Sequence, residues 1–443
     1  MEIKYTLGKN YVLRQNQKDS FMLFNTKSSI EYDISQEFYC VLKMFKYNVL
    51  SLDYVYEYFK KNRVVIDILK LEENFHRMEF SDLLEKSNLP NSNNKDIVVD
   101  GLPLFVNYTP QRIDLVLTEK CNLQCKHCFQ ESTPFNPLDF SSIEKLMAFC
   151  DEIEELNIKS LKITGGEPFI YPDIKKLLKH LVQKKYQKSI LTNAILLDSD
   201  IIDIVKGHNF RFGISLDGSK SEIHEFLRGK NTFDRTVKNI MNLQKNGIYF
   251  SLNTTLHSFN YLDIEKILDL GFRKLEAHNI NINIIFPLGR GSENNELCLS
   301  REKIFYIKNK LSELRELYPD KMIRLNDAEE TLSYEDNTDL IYCSGGTKTL
   351  CINPQLEVYP CSYAFGMDEF KMGIVGNERL IDIWQNSKWN IFRGETKLKD
   401  LKSCHSCAFN KKCTYRNCRI KPIYQGLDFY SSITYCKLGN SLC

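Results

Sequence analysis

The sequence contains no apolar run long enough to span a membrane. Its opening residues Met1-Glu2-Ile3-Lys4-Tyr5 carry no hydrophobic segment of the secretion-signal kind. The expectation is a soluble protein of the cytoplasm with no membrane partner. Charge of one sign is missing too. Lys and Arg total 59 against 57 Asp and Glu, a formal net charge of +2. No basic footprint suited to a phosphate backbone is present, so nucleic acid is not expected as a partner. The composition is otherwise globular, 43% apolar over 443 residues, enough for about three domains.

Cysteine is abundant. There are 15, and only Cys40, Cys150 and Cys298 stand alone. Three fall at Cys121, Cys125 and Cys128, and nine lie between Cys343 and Cys443. Without a secretion signal, such close spacing points to metal binding rather than disulfides.

Residues 1–95 read as a small αβ unit. Short β-rich runs come first, at Tyr11–Leu13, Phe21–Phe24 and Ile30–Tyr32, separated by polar turns. Helical spacing follows at Phe38, Val41, Leu42 and Phe45, then at Val55 and Phe59, then at Leu69, Leu71 and Phe75. The polar run 87–95 reads as a linker. Over 96–300, strands and helices alternate. Candidate strands are Ile113–Leu117, Leu161–Thr164, Ser189–Thr192, Phe212–Leu216, Tyr249–Thr254 and Ile280–Phe286. Ser141 and Glu144 form a capping box, Pro172 opens the next helix, and Gly247 stops another. Six βα units imply a parallel sheet with right-handed crossovers, hence an α/β fold built on a partial (β/α)6 barrel of the TIM type. Residues 301–340 are expected as a helical linker. Residues 341–443 lack clear periodicity and are expected to be held by metal more than by packing.

Leu115–Phe129 places Cys121-x3-Cys125-x-His127-Cys128 directly after the first barrel strand, where αβ barrels carry their chemistry. A [4Fe–4S] cluster takes four protein thiolates when fully ligated, so three leave one iron open. A zinc knuckle is the alternative, although zinc sites usually close at four ligands. Thr164-Gly165-Gly166-Glu167-Pro168 ends the second strand, where two glycines permit close backbone approach to a ligand. Thr192-Asn193 and Ser215-Leu216-Asp217-Gly218 end the third and fourth strands, and Arg228 follows. Downstream, eight cysteines suffice for two four-thiolate clusters, with a zinc ribbon as the alternative.

The Cys121 loop resembles the signature of radical S-adenosylmethionine (radical SAM) enzymes, with His127 at the aromatic position. The resemblance implies that the amino and carboxylate groups of S-adenosylmethionine chelate the open iron. It also implies cofactor cleavage to a 5′-deoxyadenosyl radical that abstracts a hydrogen atom from substrate. Gly165, Gly166 and Glu167 resemble the family's GGEP motif, which meets the methionine amino group. Ser215, Asp217 and Arg228 match positions that hold the ribose and carboxylate, with Asn193 and Asn253 in the same set. The family often has Thr-Asn-Gly where this chain has Thr192-Asn193-Ala194.

The C-terminal cysteines resemble the SPASM extension, which carries two auxiliary [4Fe–4S] clusters. By that resemblance Cys343, Cys351, Cys361 and Cys418 hold one, and Cys404, Cys407, Cys413 and Cys436 hold the other. Some relatives leave the Cys351 position open for substrate. Leu356 replaces a family glycine, and Cys443 is surplus. The N-terminal unit resembles the winged-helix-like domain that binds a precursor's leader as an added strand. Together these imply a radical SAM peptide maturase forming an intrapeptide crosslink, with a thioether expected first. Other readings are a C–C crosslinking or epimerising maturase, an anaerobic sulfatase-maturating (formylglycine-generating) enzyme, and a zinc-stabilised protein without activity. The expected partners are a precursor peptide and an electron donor such as flavodoxin or ferredoxin. No catalytic base is singled out.

Overall fold

The computed structural model describes residues 5–61, 82–86, 106–137, 139–326, 339–408, 410–411 and 413–433. The 87–95 linker, the pattern at Leu69, Leu71 and Phe75, and Cys436 and Cys443 lie outside these residues.

The N-terminal unit contains β1 (Tyr5–Leu7), β2 (Tyr11–Gln17), β3 (Ser20–Asn25) and β4 (Ile30–Ile34). The last three form an antiparallel meander in the order β2-β3-β4. Ser35 caps the helix Gln36–Tyr47 by accepting the Phe38 amide at 3.2 Å. That helix buries Tyr39, Val41, Leu42 and Phe45 against Leu13, Phe21 and Leu23 of the sheet. A second helix, Leu52–Lys61, adds Val55 to this core. β5 (Leu84–Lys86) returns to pair with β1.

The six expected barrel strands are β6 (Arg112–Val116), β7 (Ser160–Thr164), β8 (Gln187–Thr192), β9 (Phe210–Ser215), β10 (Tyr249–Leu256) and β11 (Asn279–Ile284). All pair in parallel with their sequence neighbours. Helices such as Ile143–Glu155, Ile174–Val182 and Phe233–Lys245 cover the outer face, and their apolar stripes meet Ile113, Leu161, Ile190, Ile214, Leu252 and Ile280 in one core. The cap of the first helix is Ser142, not Ser141. Ser142 accepts from the Lys145 amide, while Ser141 donates to the Pro354 carbonyl at 2.8 Å.

The sheet extends beyond six strands. Residues 301–326 are not a linker, because the helix Arg301–Leu317 buries Ile304, Ile307, Leu311 and Leu314 in the barrel core. β12 (Met322–Asn326) then pairs parallel to β11. After β13 (Leu340–Tyr342), β14 (Thr349–Ile352) joins the opposite side, parallel to β6. β15 (Glu357–Tyr359) and β16 (Gly373–Ile374) continue it antiparallel, giving a ten-stranded sheet. β17 (Arg393–Lys397) pairs with β13.

Packing also organises much of the C-terminal region, contrary to expectation. Leu350, Ile352, Val358, Phe370, Trp384, Trp389 and Phe392 belong to the same core as the barrel. Arg393 lies against both indoles and donates to the carbonyls of Gly346 (2.6 Å) and Trp384 (2.8 Å). Short strands without alternation hid this core from a periodicity reading.

The N-terminal unit docks at the end of the barrel where the strands begin. Arg211 donates to the Lys27 carbonyl at 3.0 Å, Gln187 meets Ser29, and Lys159 pairs with Glu31. Arg14 is buried in the junction and donates to the Thr109 carbonyl at 2.9 Å. No helix among the described residues is long and apolar enough to cross a membrane.

Candidate metal and cofactor site

The three-cysteine loop leaves β6 at the opposite end of the strands. Cys121 and Cys125 are buried and Cys128 is half-buried. The loop is tied down by backbone and by one arginine that sequence reasoning missed. Cys121 donates its amide to Thr133 at 3.1 Å, and Arg290 donates to the Cys125 carbonyl at 2.9 Å and the Ser132 carbonyl at 2.8 Å. The only sequence signal for Arg290 is its place between Gly289 and Gly291 after the sixth strand. Burial pushes the Cys121 thiol up to about 12 and raises Cys125. Such thiols ionise readily only beside a compensating positive centre, which a metal cluster supplies. Among the described residues, no three His, Cys, Asp or Glu side chains converge on one ion site. A cluster asks for a different arrangement, with its thiolates spread around several irons.

A cavity of about 340 Å³ opens beside the loop, within the usual range for a small-molecule site. Its walls include the three cysteines, His127, Gly165, Gly166, Asn193, Ser215 and Arg228. The imidazole Nδ1 of His127 is buried without a hydrogen-bond partner among the described residues, as a ligand-facing atom would be. Burial and the Arg228 charge lower this histidine to about 3, so it is neutral. The Gly165-Gly166 turn is wedged against the cysteine loop. Gly166 donates to the Thr118 carbonyl at 2.7 Å, and a Cβ on Gly166 would stand 2.3 Å from the Lys120 carbonyl oxygen.

The carboxylates of two expected cofactor contacts, Glu167 and Asp217, meet protein partners. The Glu167 carboxylate does not line the cavity. It accepts from Thr192 Oγ1 at 2.7 Å, from the Asn193 amide at 2.9 Å and from the Phe169 amide at 3.3 Å, which fixes the end of β8. Burial raises its pKa to about 7, with those hydrogen bonds opposing. Asn193 is thereby held beside the cluster loop, its side-chain amide 3.9 Å from Cys121 Sγ. Asp217 is also fully buried. Its carboxylate accepts the Thr255 amide at 2.7 Å and pairs with Arg228 Nε. Burial opposes its ionisation, but Arg228 prevails and holds the pKa low. Asp217 therefore positions Arg228, whose guanidinium reaches to 4.0 Å from Cys125 Sγ.

In the C-terminal region Cys418 lies close enough to add to the burial that raises the Cys343 thiol, and Cys343 and Cys418 both add to the burial that raises Cys361. Cys351, on β14, lines the cavity and faces Asp114 and Lys162 across the sheet, and it too adds to the raised pKa of Cys361. Cys404, Cys407 and Cys413 form a second group. The buried Arg419 has Cys404, Cys418 and Cys413 as its charged neighbours, which oppose the loss of its proton on burial. A buried cation among thiols suits anionic metal clusters at both groups.

A domain of the radical SAM superfamily matches residues 115–271, and an iron–sulfur cluster-binding domain, SPASM, matches 343–408. This is a radical SAM enzyme with a SPASM domain. Its cofactors are S-adenosylmethionine, a [4Fe–4S] cluster and auxiliary iron–sulfur clusters. The chain is similar to the AdoMet-dependent heme synthase of Methanosarcina barkeri, 28% identical over 74% of this chain and 96% of that protein. It is also similar to the antilisterial bacteriocin subtilosin biosynthesis protein AlbA of Bacillus subtilis, 28% identical over 62% of this chain and 60% of that protein. The mycofactocin maturase MftC of Mycobacterium tuberculosis is 24% identical over 73% of this chain and 82% of its own length. Among solved structures, SuiB of Streptococcus suis shares the fold over 98% of this chain and 100% of its own, with a TM-score of 0.75 and 16% identity.

Proposed function

We propose that this radical SAM enzyme is a peptide maturase, which binds a precursor's leader through its N-terminal unit and crosslinks the core peptide through a thioether. Bound at the Cys121 loop, the cluster and S-adenosylmethionine supply reductive cleavage to the adenosyl radical and hydrogen-atom abstraction from the peptide. The protein's own residues orient and exclude water. The Gly165-Gly166 backbone, Ser215, Asn193, His127 and Arg228 hold the cofactor, while Glu167 and Asp217 fix two of those walls. Cys121, Cys125 and Cys128 ligate the first cluster. Cys343, Cys361 and Cys418 serve one auxiliary cluster, and Cys404, Cys407, Cys413 and Cys436 serve the other. The electron donor is a flavodoxin or ferredoxin, and the thiol-rich sites suit the reducing cytoplasm.

The observation that carries this reading is the N-terminal meander. β4 ends its sheet among the described residues with Ile30 48% exposed, an edge suited to an added strand. The fold shared with SuiB runs through this unit, and one SuiB structure holds the precursor peptide SuiA. The thioether draws support from Cys351, which lies on the wall of the cofactor cavity and neighbours Cys361 of the Cys343 group. The heme synthase relatives favour a second reading, a porphyrin substrate, whose aligned span is 74% of this chain.

Alanine at Cys121, Cys125 and Cys128 should abolish 5′-deoxyadenosine formation and lower iron from about twelve to about eight per chain. Continued cofactor cleavage would refute the site. Ile30→Asp should weaken precursor binding about tenfold in a titration; unchanged affinity removes the leader-binding unit from the reading.

A further inference from the structure

β11 carries Asn279-Ile280-Asn281-Ile282-Asn283-Ile284. Asparagine is depleted in strands, so three in one six-residue strand break the local rule. The isoleucines at 280 and 282 are buried beneath the helices, and the asparagines occupy the opposite face, toward the lumen of the open barrel. Neighbouring strands continue them in register. Ser215, Asn253, Asn281 and Arg324 form one row across β9, β10, β11 and β12. Thr255, Asn283 and Asn326 form the next row toward the strand ends. Asn281 donates to Asn253 at 3.0 Å and Asn326 to Asn283 at 2.8 Å. Gly213 makes room for the first row, since a Cβ there would stand 2.7 Å from Asn253 Nδ2.

We propose that these two rows are a substrate track, binding the main chain of an extended peptide between the cofactor cavity and the open edge at β12. The proposal rests on the maturase reading and names how its substrate is held. The track begins at Ser215, which lines the cavity, and crosses to β12, the last strand of the sheet among the described residues. Each asparagine amide offers two donors and two acceptor lone pairs, and the bonds within the rows use only part of that capacity. Peptide groups likewise present one donor and one acceptor per residue, so the match is to backbone rather than to any side chain. Main-chain binding tolerates varied sequences. A porphyrin would ask for apolar walls and several cations for its carboxylates, whereas these rows hold amides, hydroxyls and the single cation Arg324.

The test uses the reconstituted full chain and a tryptic digest of a perdeuterated protein as a sequence-mixed peptide probe. Deuterium in 5′-deoxyadenosine reports hydrogen-atom transfer from bound peptide. Anisotropy of the same digest labelled with fluorescein reports binding without turnover. The wild type should take deuterium from the digest but not from the free perdeuterated amino acids. Asn281→Leu and Asn283→Leu should each weaken peptide binding and deuterium transfer about tenfold, and Asn281→Ser, which keeps a donor and an acceptor, should restore most of both. If a leucine variant fails to fold, Asn281→Ala and Asn283→Ala remove the same amides. Equal binding and transfer in wild type and variants overturns the track while leaving the maturase reading intact. Transfer from perdeuterated coproporphyrin but not from the digest overturns both.

Discussion

Two residues show how this chain keeps a backbone shape without the glycine that makes it easy. Ala194 has φ of +62° and Leu356 has φ of +65°. Both stand where the radical SAM and SPASM patterns carry glycine, and the turns survive. The left-handed region costs an L-residue about 1–2 kcal/mol. At Leu356 burial offsets this, since the side chain is 2% exposed in the main core. Ala194 has only a methyl to bury. Ala194→Gly should therefore stabilise the protein by up to about 1 kcal/mol, and Leu356→Gly should destabilise it by about 1–3 kcal/mol, both read from denaturant midpoints. The Asp217 and His224 pair sets a pH response. The Asp217 amide donates to His224 Nδ1 at 3.1 Å, which fixes the neutral imidazole, and burial lowers this histidine to about 4. The folded pKa lies below the unfolded 6.5, so the unfolded state takes up the proton first as pH falls. Stability is complete above pH 6.5 and drains away between 6.5 and 4, by about 3 kcal/mol for this group. His224→Gln should flatten the measured stability curve in that window by a similar amount.

At the scale of elements, the cofactor site is a contact between two loops. The Gly165-Gly166 turn after β7 and the cysteine loop after β6 are laced by the Gly166 to Thr118 bond and by the Glu167 amide donating to Lys120 at 3.0 Å. A side chain at 166 cannot move aside, because its obstacles are the backbone carbonyls of Lys120 and Glu119. Gly166→Ala should displace the cysteine loop. Reconstituted iron should fall by about four per chain, with the auxiliary clusters retained. Full iron content with unchanged cofactor binding would show that the loops can separate.

Across the whole molecule, the N-terminal unit and the cavity occupy opposite ends of the barrel strands. Arg211 and Gln187, at the start of β9 and β8, touch the N-terminal turn, while Ser215 and Asn193 lie at the other ends. A strand of six residues rises about 20 Å. A peptide held by β4 must therefore run at least about six extended residues before its core reaches the cavity. Precursors with shorter spacers should bind with full affinity and remain unmodified, as mass spectrometry of the product would reveal.

The cysteine spacing, the GGEP turn and the six alternating strands were legible in the sequence because each is local. Period-2 and period-3.6 patterns report which face is buried, and ligand spacing reports chemistry. Three things were decided only by tertiary structure. Strand β14 is too short to announce itself, β12 follows a helix in a stretch expected as a linker, and both are placed by covering the edges of β6 and β11. Glu167 and Asp217 stand out by their motifs, and folding adds what the motifs do not show, the bonds of their carboxylates to Asn193 and Arg228, because a buried charge takes the partners within reach. The asparagines of β11 alternate plainly in sequence, yet only the register of β9 to β12 lines them up into rows that run from the cavity to the open edge.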